Sequence, residues 1–288
     1  MLKNKNIAII IPTFEPQEYF WGCLASVDEQ KTTFDLRVII VLNGPKEPHF
    51  SSIEKYLHAH GLKNSFELFY LSEFGVSNAR NFGLNAASSS DYYVFLDDDD
   101  SLSENFIDNC MKKMVGNPLV ISNFMAFKDQ EGRDNSFYDH IGFHYANLKK
   151  KKAFNLLQFA PFFSTVTGKM FPSSMIGLKR FDSRFHKGED ALFMLSISNN
   201  IDKIVFAESD TIYYRRIRSQ SASRITGNYF RQLNNDLFLV VAHINLILNH
   251  SNGRNKLLLV AKFVRSILNL LTSFFGKTQR LRLPWFKK

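Results

Sequence analysis

The segment GVSNARNFGLNAASSSDYYVFLDDDD (75–100) decides the fold that this sequence predicts. Residues 75–87 have the spacing of apolar and small side chains that is typical of a helix, and YYVFL (92–96) is a short run of strand-forming residues. Four aspartates, 97–100, follow that run directly. A helix followed by a buried strand that ends in polar groups is typical of an open α/β sheet, in which ligands bind at the carboxyl ends of the strands.

The same alternation continues toward the N-terminus. Three more apolar runs predict strands, and two segments between them predict helices. The strands are IAIII (7–11), LRVIIVL (36–42) and FELFYL (66–71), and the helices are 16–30 and 49–60. We therefore predict an α/β fold with a Rossmann-like, mostly parallel central sheet and helices on both faces. The loops PTFE (12–15), NGPK (43–46) and DDDD (97–100) should meet at one edge of that sheet.

The second half of the chain is less regular. Strand-like runs occur at 119–127 and 204–214, and FHKGEDALF (185–193) contains a predicted helix start. The pattern is helical near the C-terminus. We predict two parts, an α/β domain over residues 1–225 and a helical, cationic, amphipathic extension over residues 226–288.

The net charge of +9 is concentrated at the C-terminus. The chain has 36 Lys and Arg against 27 Asp and Glu, and residues 254–288 contain nine basic residues and no acidic one. Residues 1–253 are therefore neutral, with 27 of each sign. A neutral body argues against nucleic-acid binding, which uses a basic face of the folded domain. The 45% of hydrophobic residues excludes a disordered chain, and two cysteines form no disulfide framework, which favours the cytoplasm.

The segment LLLVAKFVRSILNLLTSFF (257–275) predicts an amphipathic helix. Its polar residues fall on one stripe at three-and-four spacing, namely Lys262, Arg265, Ser266, Asn269, Thr272 and Ser273. Two interior charges argue against a membrane span, whereas the basic residues and Trp285 that follow favour a helix lying on an anionic leaflet. We expect a cytoplasmic protein bound peripherally to the inner face of the cell membrane. Packing on the α/β domain or in a dimer is the alternative.

The four aspartates are candidates for a metal site. Adjacent carboxylates repel each other, and a bound cation removes that cost. Oxygen ligands suit Mn²⁺ or Mg²⁺, and such an ion is commonly held by one or two carboxylates together with substrate phosphates. An acidic turn that caps the next helix is the alternative. We favour the cap for Asp100 and Ser101, and ligand binding for Asp97 and Asp99.

Two further charged motifs are ambiguous when each is taken alone. Arg80 lies in the first turns of a predicted helix, where its guanidinium would suit a diphosphate or a base carbonyl, but a surface arginine explains it equally well. Glu189 and Asp190 follow Gly188 at a predicted helix start. Negative charge there is favourable for capping alone, and a general base in a cleft is the functional alternative.

Taken together and in order, these motifs resemble an inverting family 2 glycosyltransferase of the bacterial surface-polysaccharide type, which has the GT-A fold. The resemblance spans about residues 7–223. The matching segments are IIIPTFEPQEYFWGCLASVDEQ, VIIVLNG, GVSNARNFGLNAASSSDYYVFLDDDD, TGKMFPSSMIGLKRFDSRFHKGEDALF and YYRRIRSQSAS. The combination of ARN with DDDD, followed by GED, is its most specific part.

The resemblance implies which residues bind the donor nucleotide. They are Pro12, Thr13, Glu15, Asn43, Arg80, Asp97 and Asp98. Asn43 takes the place of an aspartate that commonly contacts uracil in this family, and Arg80 would contact the nucleotide or its diphosphate. Asp99, the last residue of the DxD-type motif, would coordinate Mn²⁺ or Mg²⁺ between the two phosphates.

The resemblance also implies the catalytic group. Asp190 of the GED motif would be the general base that deprotonates the acceptor hydroxyl, with Glu189 as the second choice. Arg218 stands where related enzymes often have a histidine near the metal or phosphates. Because an arginine binds phosphate rather than metal, we expect a diphosphate contact from Arg218, or else from Arg215 or Arg216.

The implied function is a metal-dependent inverting glycosyltransferase. It would move a sugar from a nucleotide-diphosphate donor, UDP-linked by expectation, to a glycan or lipid-linked acceptor in surface polysaccharide biosynthesis. Two alternatives remain open. A sugar-nucleotide pyrophosphorylase would usually carry a Gly-rich N-terminal loop, and PTFEP has no Gly. A degenerate, non-catalytic subunit that binds membrane or a partner protein is the other.

Overall fold

The computed structural model describes residues 5–129, 132–150, 156–218, 229–249 and 256–275. Its strands, in chain order, are β1 (Asn6–Thr13), β2 (Asp35–Leu42), β3 (Ser65–Tyr70), β4 (Tyr92–Phe95), β5 (Ser101–Leu102), β6 (Leu119–Ile121), β7 (Asn123–Lys128), β8 (Lys169–Pro172), β9 (Ile204–Phe206) and β10 (Ile212–Ile217). The α-helices are α1 (Tyr19–Asp28), α2 (His49–Ala59), α3 (Val76–Ala86), α4 (Phe106–Lys112), α5 (His140–Lys149), α6 (Ser173–Ile176), α7 (Glu189–Ser196), α8 (Tyr229–Asn249) and α9 (Lys256–Phe275). Short 3-10 helices cover Arg133–Asn135, Leu156–Ser164 and Ser198–Asn200.

Seven strands form the central sheet, in the order β3-β2-β1-β4-β8-β6-β9. All neighbours are parallel except β8, which runs antiparallel to β4 and β6. Ile9 of β1 pairs with Val38 of β2 on one side and Val94 of β4 on the other, and all three side chains are buried. Strands buried on both faces explain why these segments are continuous apolar runs rather than alternating ones.

A second, three-stranded sheet lies after the aspartates, in the order β5-β10-β7. Strand β10 pairs antiparallel with β5 and parallel with β7. This small sheet brings the segment after Thr211 beside the end of β4, because Tyr214 pairs with Ser101 directly after the four aspartates.

The predicted α/β class and mostly parallel sheet are confirmed, and the first four strands agree with the prediction within two residues at each end. The strand-like runs predicted within 119–127 and 204–214 are confirmed. Each segment contains two strands that belong to different sheets, a division that the sequence analysis did not make. A chain that changes sheet within a few residues has the same local composition as one long strand, so periodicity does not separate the two cases.

The described part of the C-terminal segment is helical, as predicted, and α8 packs against α9. The basic residues after α9 and Trp285 lie outside the described residues. Leu258 and Leu259 of α9 are buried in the same core as the central sheet. The predicted polar stripe of α9 does not lie on the outer side as a whole, since Ser266 is buried and Lys262 is half-buried. Burial, together with Arg265, lowers the pKa of Lys262 to about 8.

Among the described residues, no helix is both long and apolar enough to cross a membrane. The division of the chain at residue 225 stays a prediction.

Candidate functional site

The candidate site lies at the carboxyl ends of three adjacent parallel strands. Thr13 ends β1, Asn43 follows β2, and the aspartates follow β4. Because β8 is antiparallel to β4, the segment that leads into β8 reaches the same edge, and Val94 pairs with Met170 there. The loops that the sequence placed at one edge of the sheet are therefore brought together.

The loops after β1 and β2 are joined by short contacts. The backbone N–H of Asn43 donates to the carbonyl of Thr13 at 2.9 Å, and the Asn43 side-chain amide donates to the carbonyl of Gly75 at 2.6 Å. A Cβ at Gly44 would lie 1.9 Å from the carbonyl oxygen of Phe14, so only glycine allows this approach. The Thr13 hydroxyl donates to Oδ2 of Asp98 at 2.6 Å, which links the first loop to the aspartates.

Arg80 of α3 connects the aspartates to the GED motif. One guanidinium nitrogen lies 2.8 Å from Oδ1 of Asp97 and another lies 2.6 Å from Oδ1 of Asp190. A carboxylate oxygen of Glu189 is 3.9 Å away. Arg80 is only 3% exposed. Burial alone would lower the pKa of Arg80, but Asp190 and Asp97 more than offset it and the pKa is raised, so the group stays charged.

The GED motif forms the start of α7. Gly188 precedes it with a φ of +88°, a conformation that favours glycine, and a Cβ there would also lie 2.9 Å from the side chain of Leu239 in α8. Asp190 accepts a hydrogen bond from the backbone N–H of Val166 at 3.2 Å in addition to that from Arg80. Burial and the neighbouring Asp190 carboxylate raise the pKa of Glu189 to about 7.

A buried lysine holds the segment that binds Asp190. The Lys169 amine, at the start of β8, donates to the carbonyls of Thr165 and Thr167 at 2.8 and 3.0 Å. Burial lowers the pKa of Lys169 to about 7, and Asp190 partly offsets that effect. The sequence analysis did not single out this residue. A lysine in an otherwise apolar strand start, TGKMFP, was the signal available.

The four aspartates differ in their contacts. Burial, followed by the charges of Asp99 and Asp97, raises the pKa of Asp98 to about 7, although its hydrogen bond from Thr13 acts in the opposite direction. Burial and Asp97 likewise raise the pKa of Asp99. The side chain of Asp97 is the most open of the ion-paired carboxylates here, at 39% exposed. This crowding of negative charge is the electrostatic condition that a cation relieves.

Asp100 and Ser101 do not cap a helix, so that prediction is wrong. Asp100 is buried and accepts hydrogen bonds from the Tyr213 hydroxyl at 2.6 Å and from the backbone N–H of Arg216 at 2.8 Å. Ser101 begins β5, and α4 starts only at Phe106. Asp100 therefore holds β10 beside the aspartates through these two hydrogen bonds. Tyr213 is a second residue that the sequence analysis missed.

Arg218 pairs with the predicted metal ligand. Its Nε lies 2.6 Å from Oδ2 of Asp99, and another guanidinium nitrogen donates to the Tyr19 hydroxyl at 2.7 Å. The guanidinium carbon lies 4.7 Å from the centre of the Tyr19 ring. Burial and the Asp98 carboxylate raise the pKa of Tyr19 to about 12, so its hydroxyl keeps a hydrogen to donate.

The other two candidate arginines are directed elsewhere. Arg215 pairs with Asp139 at 2.9 Å, and Arg216 pairs with Asp129 and donates through Nε to the carbonyl of Asp99 at 3.0 Å. Of the three alternatives, Arg218 is the one whose side chain binds a site carboxylate.

Two predicted nucleotide residues lie at the border of the cluster. Pro12 is the second-to-last residue of β1 and is buried, and Glu15 is exposed in the loop that follows β1. The backbone carbonyl of Glu15 accepts a hydrogen bond from the Gln17 side chain at 3.1 Å.

The residues present fit a divalent ion that is held mainly by a diphosphate. Within the described ranges, no cluster of three or more His, Cys, Asp or Glu side chains has the arrangement of a complete metal site. Asp99 provides a carboxylate beside Asp97 and Asp98, whose charges repel each other. A hard cation with one or two protein carboxylates and several other oxygens is the usual form of a Mg²⁺ site with phosphates.

The comparisons with known proteins agree with this geometry. The family model described as Glycosyl transferase family 2 matches residues 8–177. The chain belongs to glycosyltransferase family 2. The match includes the aspartates and Arg80, whereas the GED motif and Arg218 follow it in the chain.

Relatives in bacteria share low sequence identity with this family member. It is 24% identical over 237 residues to glycosyltransferase GlyA of Streptococcus pneumoniae, which covers 78% of this chain and 32% of GlyA. It is 26% identical over 190 residues to the GalNAc(5)-diNAcBac-PP-undecaprenol beta-1,3-glucosyltransferase of Campylobacter jejuni, which covers 66% of this chain and 59% of that enzyme. The chain thus spans between a third and three fifths of the length of these relatives.

Solved structures share its fold. Staphylococcus aureus TarS residues 1–349, in complex with UDP-GlcNAc, superposes with a TM-score of 0.67 at 16% identity over 95% of this chain and 73% of that one. The mannosyltransferase PcManGT of Pyrobaculum calidifontis, in complex with GDP-Man and Mn²⁺, gives 0.60 at 17% identity over 94% and 73%. The predicted GT-A fold is confirmed.

Proposed function

We propose that this protein is a metal-dependent inverting glycosyltransferase that uses a nucleotide-diphosphate sugar, UDP-linked, as its donor. The observation that carries the proposal is the Arg80 bridge. It places the carboxylate of Asp97, on the donor side, and that of Asp190, the candidate base, within 2.8 Å of one guanidinium group. The groups proposed for donor binding and for proton transfer therefore lie in one cluster at the carboxyl ends of the strands, where α/β sheets bind ligands, and this supports the proposal.

Asp190 is the proposed general base. Displacement at the anomeric carbon requires a group that takes the proton of the acceptor hydroxyl while the carbon–oxygen bond forms. Asp190 is held by Arg80 and by the Val166 N–H, so its orientation is fixed from two sides. Attack opposite the departing diphosphate inverts the anomeric configuration. Glu189, whose pKa is raised to about 7 by burial and by the Asp190 carboxylate, is the second candidate for the base.

Leaving-group charge would be neutralised from two sides. Asp99 would hold Mn²⁺ or Mg²⁺, which supplies Lewis-acid stabilisation of the departing diphosphate when bound. Arg218 would donate a charge-assisted hydrogen bond to the same diphosphate. Tyr19 would hold the guanidinium in place through its hydroxyl and its ring. The PcManGT complex contains Mn²⁺, which supports a divalent ion in this fold.

The nucleotide would lie over the first two loops. The side-chain amide of Asn43 already donates to Gly75, which leaves its carbonyl oxygen to accept from the N–H of a uracil ring. Thr13, Pro12 and Glu15 would border the nucleotide, and Asp98 would lie near the ribose. The UDP-GlcNAc complex of TarS supports this class of donor.

The acceptor is proposed to be a glycan or a lipid-linked precursor of a surface polysaccharide. The Campylobacter relative acts, by its name, on an undecaprenol-linked substrate, which supports a lipid-linked acceptor here. Such an acceptor would place the protein in the cytoplasm, peripherally bound to the inner face of the membrane.

A donor-hydrolysis assay tests the proposal. The full chain is incubated with a panel of UDP- and GDP-sugars, with Mn²⁺ or with chelator, and nucleotide release is measured. Asp99→Ala and Asp190→Ala should each abolish Mn²⁺-dependent release, whereas Asp182→Ala should not, because Asp182 pairs with Arg184 outside the cluster. Activity that survives in both site variants would overturn the roles proposed for Asp99 and Asp190, whereas no activity with any donor would favour the non-catalytic alternative.

A further inference from the structure

The two C-terminal helices expose a set of large apolar side chains. On α8 these are Leu237, Phe238, Val241, Ile244 and Leu248, and on α9 they are Leu257, Val260, Val264 and Leu271. Leu237, Val241, Ile244 and Leu248 recur three or four residues apart with Phe238 beside them, and the four residues of α9 are spaced by three, four and seven, so each set lies along one side of its helix. Phe238 and Leu248 are 63% and 68% exposed. We call these nine residues the outer surface.

The opposite sides of both helices are already covered. Leu246 and Ile247 of α8 pack against the core, and Leu258 and Leu259 of α9 are buried in it. His243 is buried as well. The outer surface is therefore what remains after the helices have packed on the body and on each other. Soluble monomers seldom expose a large contiguous apolar patch without a binding role.

The charge of the C-terminal segment favours an anionic partner. Lys256 and Arg265 are exposed on α9 beside its apolar residues. Residues 254–288 contain nine basic residues and no acidic one, and six of the nine lie outside the described residues. A second copy of the chain would bring the same basic residues together and would be repelled. An anionic lipid surface offers both an apolar layer for the side chains and negative phosphates for the basic residues.

We propose that the outer surface docks in the plane of an anionic lipid bilayer. The nine apolar side chains enter the interfacial layer, and the basic residues contact the lipid phosphates. The proposal rests on the proposed function only for its purpose, which is to bring the site to a lipid-linked acceptor. The docking itself requires neither donor nor metal.

Vesicle flotation of the full chain tests the docking. The probes are phosphatidylcholine vesicles with and without phosphatidylglycerol. The wild-type protein should float only with the anionic vesicles, and Phe238→Asp or Leu248→Asp should lower the ratio of bound to free protein about tenfold, because an apolar contact is replaced by a charge that the lipid repels. Leu178→Asp is the matched control, since Leu178 is 95% exposed on the body, directly after α6, and should float as the wild type does.

Further measurements keep each outcome decisive. Circular dichroism checks that the variants fold, and Leu248→Gln replaces Leu248→Asp if the charge prevents folding. Equal flotation of wild type and outer-surface variants would overturn the proposal, as would a wild-type dimer that Leu248→Gln dissociates in sedimentation. Asp190→Asn should float normally. Loss of donor turnover without loss of flotation therefore separates failure of the proposed function from failure of the docking.

Discussion

The carboxylate cluster of the candidate site and the apolar outer surface of α8 and α9 differ in the chemical groups that they expose. The cluster holds six carboxylates, Asp97 to Asp100, Glu189 and Asp190, against three arginines, Arg80, Arg216 and Arg218. Its surplus is negative charge that a cation would neutralise. The outer surface instead exposes nine large apolar side chains. The ligands proposed for the two regions differ accordingly, a metal–diphosphate for the cluster and an anionic lipid interface for the outer surface.

The largest effect is expected from Asp190→Asn. The amide keeps the size of the side chain but cannot take a proton, so kcat for transfer should fall by about 10²–10⁴-fold while the donor KM changes little. The measurement is steady-state transfer at saturating donor. Asp182→Asn is the control and should leave kcat unchanged. A rise in donor KM with unchanged kcat would assign Asp190 to donor binding rather than to proton transfer.

Arg80→Met is expected to cost most in stability. It leaves Asp97 and Asp190 facing each other without the guanidinium that joins them, and breaking a buried pair by removing one partner typically costs about 3–5 kcal/mol. Urea unfolding measures the free energy of unfolding. Arg180→Met removes an arginine that bonds Asn85 at the surface and should cost far less. Equal losses in both variants would mean that the bridge contributes little.

Arg218→Ala should affect metal and donor in opposite directions. Without its ion pair, Asp99 is free to bind a divalent ion more tightly, whereas the diphosphate loses a charged donor, an interaction worth about 1.5–3 kcal/mol. Calorimetric titration with Mn²⁺ should therefore show a lower Kd, while the donor KM rises by about tenfold or more. Arg215→Ala is the matched control. A higher Kd for Mn²⁺ would show that Arg218 supports metal binding instead of competing with it.

Glu189→Gln should change stability progressively as pH rises from 4.5 to about 7, and should have no effect below that window. The pKa of Glu189 is raised from an ordinary value of 4.5 to about 7, so the folded state holds the proton more tightly than the unfolded chain and loses stability as pH rises through that window. Glutamine removes this loss. The Tm should rise by a few degrees at pH 8, at about 2–4 °C per kcal/mol for a chain of this size, and should stay the same at pH 4. An equal shift at both pH values would exclude ionisation as the cause.

Features determined by neighbouring residues could be predicted from the sequence, whereas features determined by contacts between distant residues could not. The strand ends at Thr13, Asn43 and Asp97 were found because an apolar run followed by a polar loop is a local pattern. Asp100 was assigned wrongly because the competing partner, Tyr213, lies 113 residues away. The contact of Arg218 with Tyr19 spans 199 residues, and no spacing rule gives it.

The C-terminal helix shows the same limit. Its amphipathic pattern was visible, but the side that faces the body was not. Lys262 and Ser266 lie inward because Leu258 and Leu259 anchor that side of α9 in the core. The order of polar and apolar residues in one helix does not reveal which neighbour it meets, so α8 went unnoticed as a second contributor to the outer surface.

Helix α8 lies between the GED loop and the outer surface. Asn235 and Leu239 lie on the side of α8 that touches the GED loop, where Asn235 bonds the backbone of His186 and Lys187 and Leu239 covers Gly188. Phe238 and Val241 point away from the body on the same helix. A helix with its side chains is about 10–12 Å thick. With the outer surface docked on lipid as proposed, α8 would act as a spacer of that thickness between the headgroups and Asp190, the proposed base.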